Sequence, residues 1–166
     1  MKLQIIPRQD TVPSFDSNTL AVKHIEYYPF GDIYTDDEIT PEVISKILAE
    51  IPEGIGIYFF LDSDGEADFL EVVSDGKWLS LGCSFEDTET GGFTCYYSYN
   101  DAFADTVDAI SPSNFSNENI YAPIVSGGQS PISKIQTSTD MELGVKAVEY
   151  VIHTGTCYPG MEWIKD

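Results

Sequence analysis

The chain has 166 residues, 42% hydrophobic and 13% aromatic, with 28 Asp and Glu against 8 Lys and Arg. Its formal charge is −20 and its pI is near 4.1. One domain is expected at this length, burying about 70% of its unfolded surface, and the hydrophobic content excludes a disordered acidic tail. The charge excludes a binder of nucleic acid or of anionic membrane and favours a basic partner drawn in by the field.

No leader-like apolar run lies in Met1–Asp10, and no apolar stretch reaches about 18 residues. A cytoplasmic chain with reduced thiols at Cys83, Cys95 and Cys157 is expected. Leu3–Ile6 reads as a short strand stopped by Pro7, and Arg8–Asn18 as a polar loop. Thr19–Tyr28 reads as a second strand ended by Pro29. Phe30–Ile39 is a loop carrying Asp32, Asp36, Asp37 and Glu38. Thr40 is placed to cap a helix with Pro41 at its first position and acid in its first turn. Val43, Ile44, Ile47, Leu48 and Ile51 then recur at helical spacing, and Pro52 and Gly54 stop the helix.

Residues 55–99 read as four antiparallel strands in succession: Ile55–Leu61, Ala67–Val73, Lys77–Phe85 and Phe93–Tyr99. A turn at Glu86–Gly92 pairs Phe85/Phe93, Cys83/Cys95, Leu81/Tyr97 and Leu79/Tyr99, all apolar or aromatic. A three-residue turn, Ser74-Asp75-Gly76, puts Gly where a left-handed residue is needed and pairs Phe69 with Leu81. A turn at Asp62–Glu66 pairs Phe59 with Phe69. The row Phe59–Phe69–Leu81–Tyr97 then marks the core face. The opposite face is mixed, with Tyr58, Phe60, Leu70, Val72, Trp78 and Tyr96 among Asp, Ser, Gly and Asn. Glu71 falls in the core column, so it is expected at the sheet margin or paired.

Asp101–Ile110 suggests a helical turn or two, Ser111–Gly128 a long surface loop with Ile120–Val125 partly ordered, and Ile132–Thr137 a further strand. Asp140 or Thr139 caps a last helix carrying Leu143, Ala147, Tyr150 and Val151 on one side, with Gly155 as its C-terminal cap. The expected fold is α+β: one domain with a mainly antiparallel β-meander sheet and two helices packed on one face.

No catalytic motif emerges. Asp62-Ser63-Asp64-Gly65-Glu66 has its Gly at the wrong position for a calcium loop and lies between strands, so it reads as a hairpin turn. His153 and Cys157 lie four apart like a base and a thiol, but Gly155 interrupts the helix between them. With His24 alone in a strand, two histidines do not make a zinc site. Neither a phosphate-binding glycine loop nor a serine-hydrolase elbow is found. The chain is therefore read as a non-enzyme without metal or cofactor.

The segment Ala147–Trp163 resembles the terminal signature of the Imm1 family of bacterial immunity proteins. The matching positions are Ala147, Tyr150, Thr154, Gly155, Pro159 and Trp163. The resemblance covers this last stretch; Tyr150 stands where the family more often has a Phe nearer Thr154. These residues read as fold determinants: a helix, a chain reversal, a stiff exit and a returning Trp. The resemblance implies function by binding, in which a cognate toxin, often a nuclease or nucleic-acid deaminase with a basic cleft, is held inactive in the cytoplasm. A −20 partner suits such a cleft on charge alone. The alternative class is an acidic adaptor or regulator of another basic protein. Either would be monomeric when free. The candidate contacts are three acidic loops, Asp36, Asp37 and Glu38; Asp62, Asp64 and Glu66; Glu86, Asp87 and Glu89. Tyr58, Trp78 and Tyr96 are the candidate aromatic anchors.

Overall fold

The structure is a computed structural model and describes residues 2–166. In chain order its main elements are β1 (Gln4–Ile6), β2 (His24–Tyr27), β3 (Ile33–Tyr34), α1 (Pro41–Glu50), β4 (Ile55–Phe60), β5 (Phe69–Ser74), β6 (Leu79–Glu86), β7 (Phe93–Ser98), β8 (Tyr121–Ser126), β9 (Ser130–Ser133), α2 (Met141–Thr154) and β10 (Trp163–Lys165). Eight strands make one antiparallel sheet in the order β1-β10-β7-β6-β5-β4-β2-β3, while β8 and β9 form a separate hairpin. The architecture is α+β, with the β4–β7 meander at the centre of the sheet.

Local chemistry sets both helices. The Thr40 hydroxyl accepts the Val43 N–H at 3.2 Å, with Pro41 at the first position of α1. The Asp140 carboxylate accepts the Leu143 N–H at 3.0 Å at the start of α2. Such caps contribute about 1 kcal/mol each. Gly155, at φ 72°, ends α2 by turning left-handed and donating to the Val151 carbonyl. Ile44 and Ile47 of α1 and Ala147, Val148, Val151 and Ile152 of α2 pack on one sheet face, against Ile57, Phe59, Leu70, Val72, Leu79, Leu81 and Cys83.

The meander's register corrects the one expected. Phe59 pairs with Leu70, Leu70 with Cys83, and Cys83 with Tyr96. The first and last hairpins are displaced by one residue and the middle one by three, because β5 and β6 are joined by residues 75–78 and β6 and β7 by residues 87–92. Every odd displacement exchanges faces. β4 and β6 present their expected sides, but β5 and β7 are reversed. Leu70, Val72 and Tyr96 therefore face the helices, and Phe69, Glu71 and Tyr97 face outward. Cys83 is buried on the helix side, while Cys95 lies on the other face with its Sγ 3.8 Å from the Ser84 hydroxyl.

The remaining corrections concern what lies around the meander. Residues 112–119 are largely exposed, as expected, but the part expected to be only partly ordered is a strand with Tyr121, Ala122 and Ile124 buried, and Ile120 before it is buried too. Ala122 and Ile124 of β8 and Ile132 of β9 pack on Val73, with Tyr28 and Trp78 beside them. The hairpin thus covers part of the outward face. The expected strand over 132–137 is β9 followed by a 3₁₀ turn at Lys134–Gln136. The second strand is confined to 24–27, and β3 forms inside the expected 30–39 loop. β10 was not anticipated as a strand; it pairs with β7 on one side and β1 on the other. Among the described residues, no helix is long and apolar enough to cross a membrane.

Candidate protein-binding surface

Strand pairing writes two rows across the outward face. One is Glu26–Tyr58–Glu71–Gly82–Tyr97–Ile164, and the next is His24–Phe60–Phe69–Ser84–Cys95. The β8–β9 hairpin lies beyond the first row, over Val73. The hairpin does not reach the second row, where Phe69, Ser84 and Cys95 are half-buried; His24 and Phe60 are buried, with Gly65 of the β4–β5 turn beside the His24 ring. The aromatic rings here form a chain: Tyr28–Tyr58 centroids are 4.9 Å apart, Tyr58–Phe69 5.5 Å and Tyr58–Phe60 5.8 Å. One position further out, Phe93 is on the same side of β7 as Cys95 and Tyr97 and is 61% exposed.

Glu71 sits between the covered and uncovered halves. It is in a central strand rather than at the margin, and three neutral donors hold it. The Tyr28 hydroxyl donates at 3.0 Å, the Ser126 hydroxyl at 2.6 Å and the Gly127 N–H at 2.9 Å. These bonds fasten the end of β8 to the sheet. Burial, followed by the charge of Glu71, pushes the Tyr58 hydroxyl up to about 12. The same two causes raise Tyr28 further. Both phenols stay neutral near pH 7.

The acidic loops converge on one end of the sheet. In the β4–β5 turn, Asp62 accepts the N–H groups of Glu66 and Ala67, each at 3.0 Å. Burial acts to raise its carboxyl, but these amides outweigh burial and hold it low. Asp68, at φ 48°, accepts the Glu86 N–H at 2.6 Å and so ties this turn to the β6–β7 turn. There Asp87 accepts the Glu89 N–H at 2.9 Å, which lowers its carboxyl. The third loop, Asp36–Glu38, is a 3₁₀ turn in which Glu38 accepts the Thr35 hydroxyl at 2.7 Å and the Thr35 N–H at 3.0 Å. The hydroxyl, first, lowers the Glu38 carboxyl. β3 runs antiparallel to β2, and β2 antiparallel to β4, with Tyr34 opposite Ile25 and His24 opposite Phe60. The chain therefore leaves β3 at the same end where Asp62 follows β4. With strands about 4.8 Å apart, the three loops spread over about 20–25 Å.

Of the expected contacts, Asp36, Asp37, Glu38, Asp64, Glu66, Glu86 and Glu89 are exposed at this end, and Asp62 and Asp87 are half-buried within their turns. Tyr58 is half-buried on the uncovered half. Trp78 shares the outward face but lies at the opposite end. The Lys134 ammonium is 4.9 Å from its ring centre and the Lys77 ammonium 5.8 Å. These two lysines bound a stretch of sequence without Lys or Arg, and the fold brings both to one ring. Tyr96 is corrected: the reversed face of β7 turns it toward the helices, where it packs near Phe85. Phe69, Glu71, Phe93 and Tyr97 take the place it was expected to fill. Only the lengths of the two flanking turns could have revealed them.

His153 and Cys157 have different partners. His153 Nδ1 is 2.8 Å from the Thr19 carbonyl and its ring stacks on Phe15, whereas Cys157 borders the helix-side core. A hydrogen bond with Cys157, and then burial, push the Cys83 thiol up. The terminal segment is structural throughout. Ala147 and Tyr150 are buried, and Thr154 donates its hydroxyl to the Tyr150 carbonyl at 2.6 Å. The Pro159 carbonyl accepts the Gln9 N–H, and Trp163 donates its indole N–H to the Tyr158 carbonyl at 2.9 Å. No family model, curated protein or solved structure matches the chain.

Proposed function

We propose that this chain is an immunity-type inhibitor that acts in the cytoplasm, binding a basic toxin domain and covering its active-site cleft. The observation that carries the proposal is the coincidence of three acidic loops at one end of the sheet with the uncovered aromatic half of the outward face. Aromatic anchors inside a charged rim are what a tight interface requires. A face about 20–25 Å across offers about 400–600 Å² in outline, between half and three-quarters of the roughly 800 Å² per partner of a standard interface. The loops are preorganised by their own hydrogen bonds, so little ordering is left for binding. The likeness of Ala147–Trp163 to the immunity-protein signature supplies the toxin; the charge and the surface supply the mode of binding. The chain contributes no catalysis in this scheme and needs no cofactor.

The test uses the proteins encoded beside this chain's gene. Their C-terminal domains are expressed one at a time from a tight promoter, with and without this chain. A domain that arrests growth alone and is tolerated with this chain is the expected result. Charge reversal in one loop, such as Asp62→Lys with Asp64→Lys, should then slow association several-fold and flatten its salt dependence. If no neighbouring product is toxic, yet a basic one binds through the same surface, the chain is an adaptor. If association is unchanged after reversal of all three loops, the electrostatic mode is wrong.

A further inference from the structure

Two hollows of about 200 Å³ each flank Glu71 on the outward face. Glu71, Gly82, Tyr97 and Ser126 line both. The outer one is walled by the Tyr58, Phe69 and Tyr97 rings, and it opens onto the uncovered half of the sheet. Gly82 is the reason it exists. It lies between Glu71 and Tyr97 in the strand row, where any other residue would project a side chain. A Cβ there would meet only the Tyr97 ring, at 3.4 and 3.5 Å.

Glu71 is the acidic group of the outer hollow. Only neutral donors hold it, and no Lys, Arg or His nitrogen lies within 4.0 Å of it among the described residues. Aromatic ring faces are the negative side of a quadrupole and attract cations. The acidic turns stand at the same end of the sheet. An anion would be repelled by Glu71 and by the ring faces. A neutral apolar group would bury Glu71 without compensation. The volume equals that of about six or seven liquid waters, enough for a guanidinium or ammonium and the methylenes behind it.

We infer that this hollow is a subsite for one cationic side chain, an arginine or a lysine, which a basic protein inserts between Tyr58, Phe69 and Tyr97 toward Glu71. The identity of the protein presenting it rests on the proposed function; the subsite does not. Phe93 and the acidic turns would then surround an anchor buried at the centre of the interface.

The probe is Nα-acetyl-arginine amide, with Nα-acetyl-citrulline amide as its neutral isostere, titrated into the intact protein while backbone amide shifts are followed. Saturable shifts at Gly82, Ser84, Cys95 and Gly127 with the arginine compound, at least tenfold weaker with citrulline, are expected. Gly82→Leu fills the floor and should abolish these shifts while the rest of the spectrum stays folded. Glu71→Gln removes the charge at nearly the same shape, keeping one of the two acceptor oxygens, and should weaken binding about tenfold. Shifts confined to the acidic turns, or equal binding of citrulline amide, would overturn the subsite. So would unchanged binding in Gly82→Leu. Arginine-amide binding without any toxin partner leaves the subsite standing and removes the immunity function, so the two fail separately.

Discussion

Gly144 gives the sharpest test of the packing, because two physical effects predict opposite signs for one methyl group. It lies in α2, and a Cβ there would press into the Leu79 Cδ2 methyl and lie 3.4 Å from Leu79 Cγ. Leu79 is fully buried in the central sheet. Helix propensity alone says that Gly144→Ala gains about 1 kcal/mol. Packing says that the Leu79 methyl must retreat by about 1.5 Å or more to restore normal carbon contact. It has to do so inside a core without spare room, and overpacking of this kind costs about 1–3 kcal/mol. The net expectation is a loss of up to about 2 kcal/mol, or a drop in Tm of up to about 8 °C for a chain of this size. Urea denaturation followed by circular dichroism measures it directly. A double-mutant cycle isolates the cause. Leu79→Ala alone should cost about 2–5 kcal/mol, but at least 1 kcal/mol less in the Gly144→Ala background. If Gly144→Ala raises the midpoint, or if the two changes add, the close approach of α2 to β6 is not what the structure describes.

Two further outcomes can be measured on the isolated protein. Gly155→Ala puts a side chain at φ 72°, with its Cβ 3.2 Å from that of Ala21; a loss of about 1–2 kcal/mol is expected by thermal melting, and an unchanged melt would contradict the left-handed cap. Tyr58 titrates near 12 in the folded protein against an ordinary value of 10, and Tyr28 is raised further. A raised folded value means that their contribution to stability is complete below about pH 10 and is lost as pH climbs from there through 12. Absorbance at alkaline pH should therefore show a late-ionising fraction of the ten tyrosines, and Glu71→Gln should advance it; ionisation of every tyrosine near pH 10 in the folded state would refute the placement of Glu71.

The helices were legible because their signals are local. Thr40, Pro41, Asp140 and Gly155 each act within one turn of their own position, and the apolar spacing between them has a single solution. The sheet was legible as a meander but not in register. Alternation selects a register only when one face is apolar and the other is not. Here β5 carries Phe69 and Leu70 side by side, and β7 carries Cys95, Tyr96 and Tyr97, so either side of each strand can pass for the core. The decision falls to turn lengths, and those depend on contacts between turns, such as Asp68 with the Glu86 amide. The acidic loops were found because charge is visible in composition. Their gathering at one end follows from topology, and for the β4–β5 and β6–β7 turns it follows from the meander alone. Glu71 and Gly82 were not legible as a site. Their meaning comes from a hairpin donated by residues 121–133, a stretch whose Ser, Pro and Gly content reads as loop.

β10 sits between β1 and β7. β1 therefore has no neighbour in the sheet until residues 163–165 exist, and until then β7 remains an open edge. The helix-side core is in the same position, since it includes Met161 and Trp163. Until residues 163–165 emerge from a ribosome the sheet lacks an inner strand, and long-range pairing of this kind folds slowly. A chain broken before residue 163 would keep β7 as an open edge exposed to unwanted pairing.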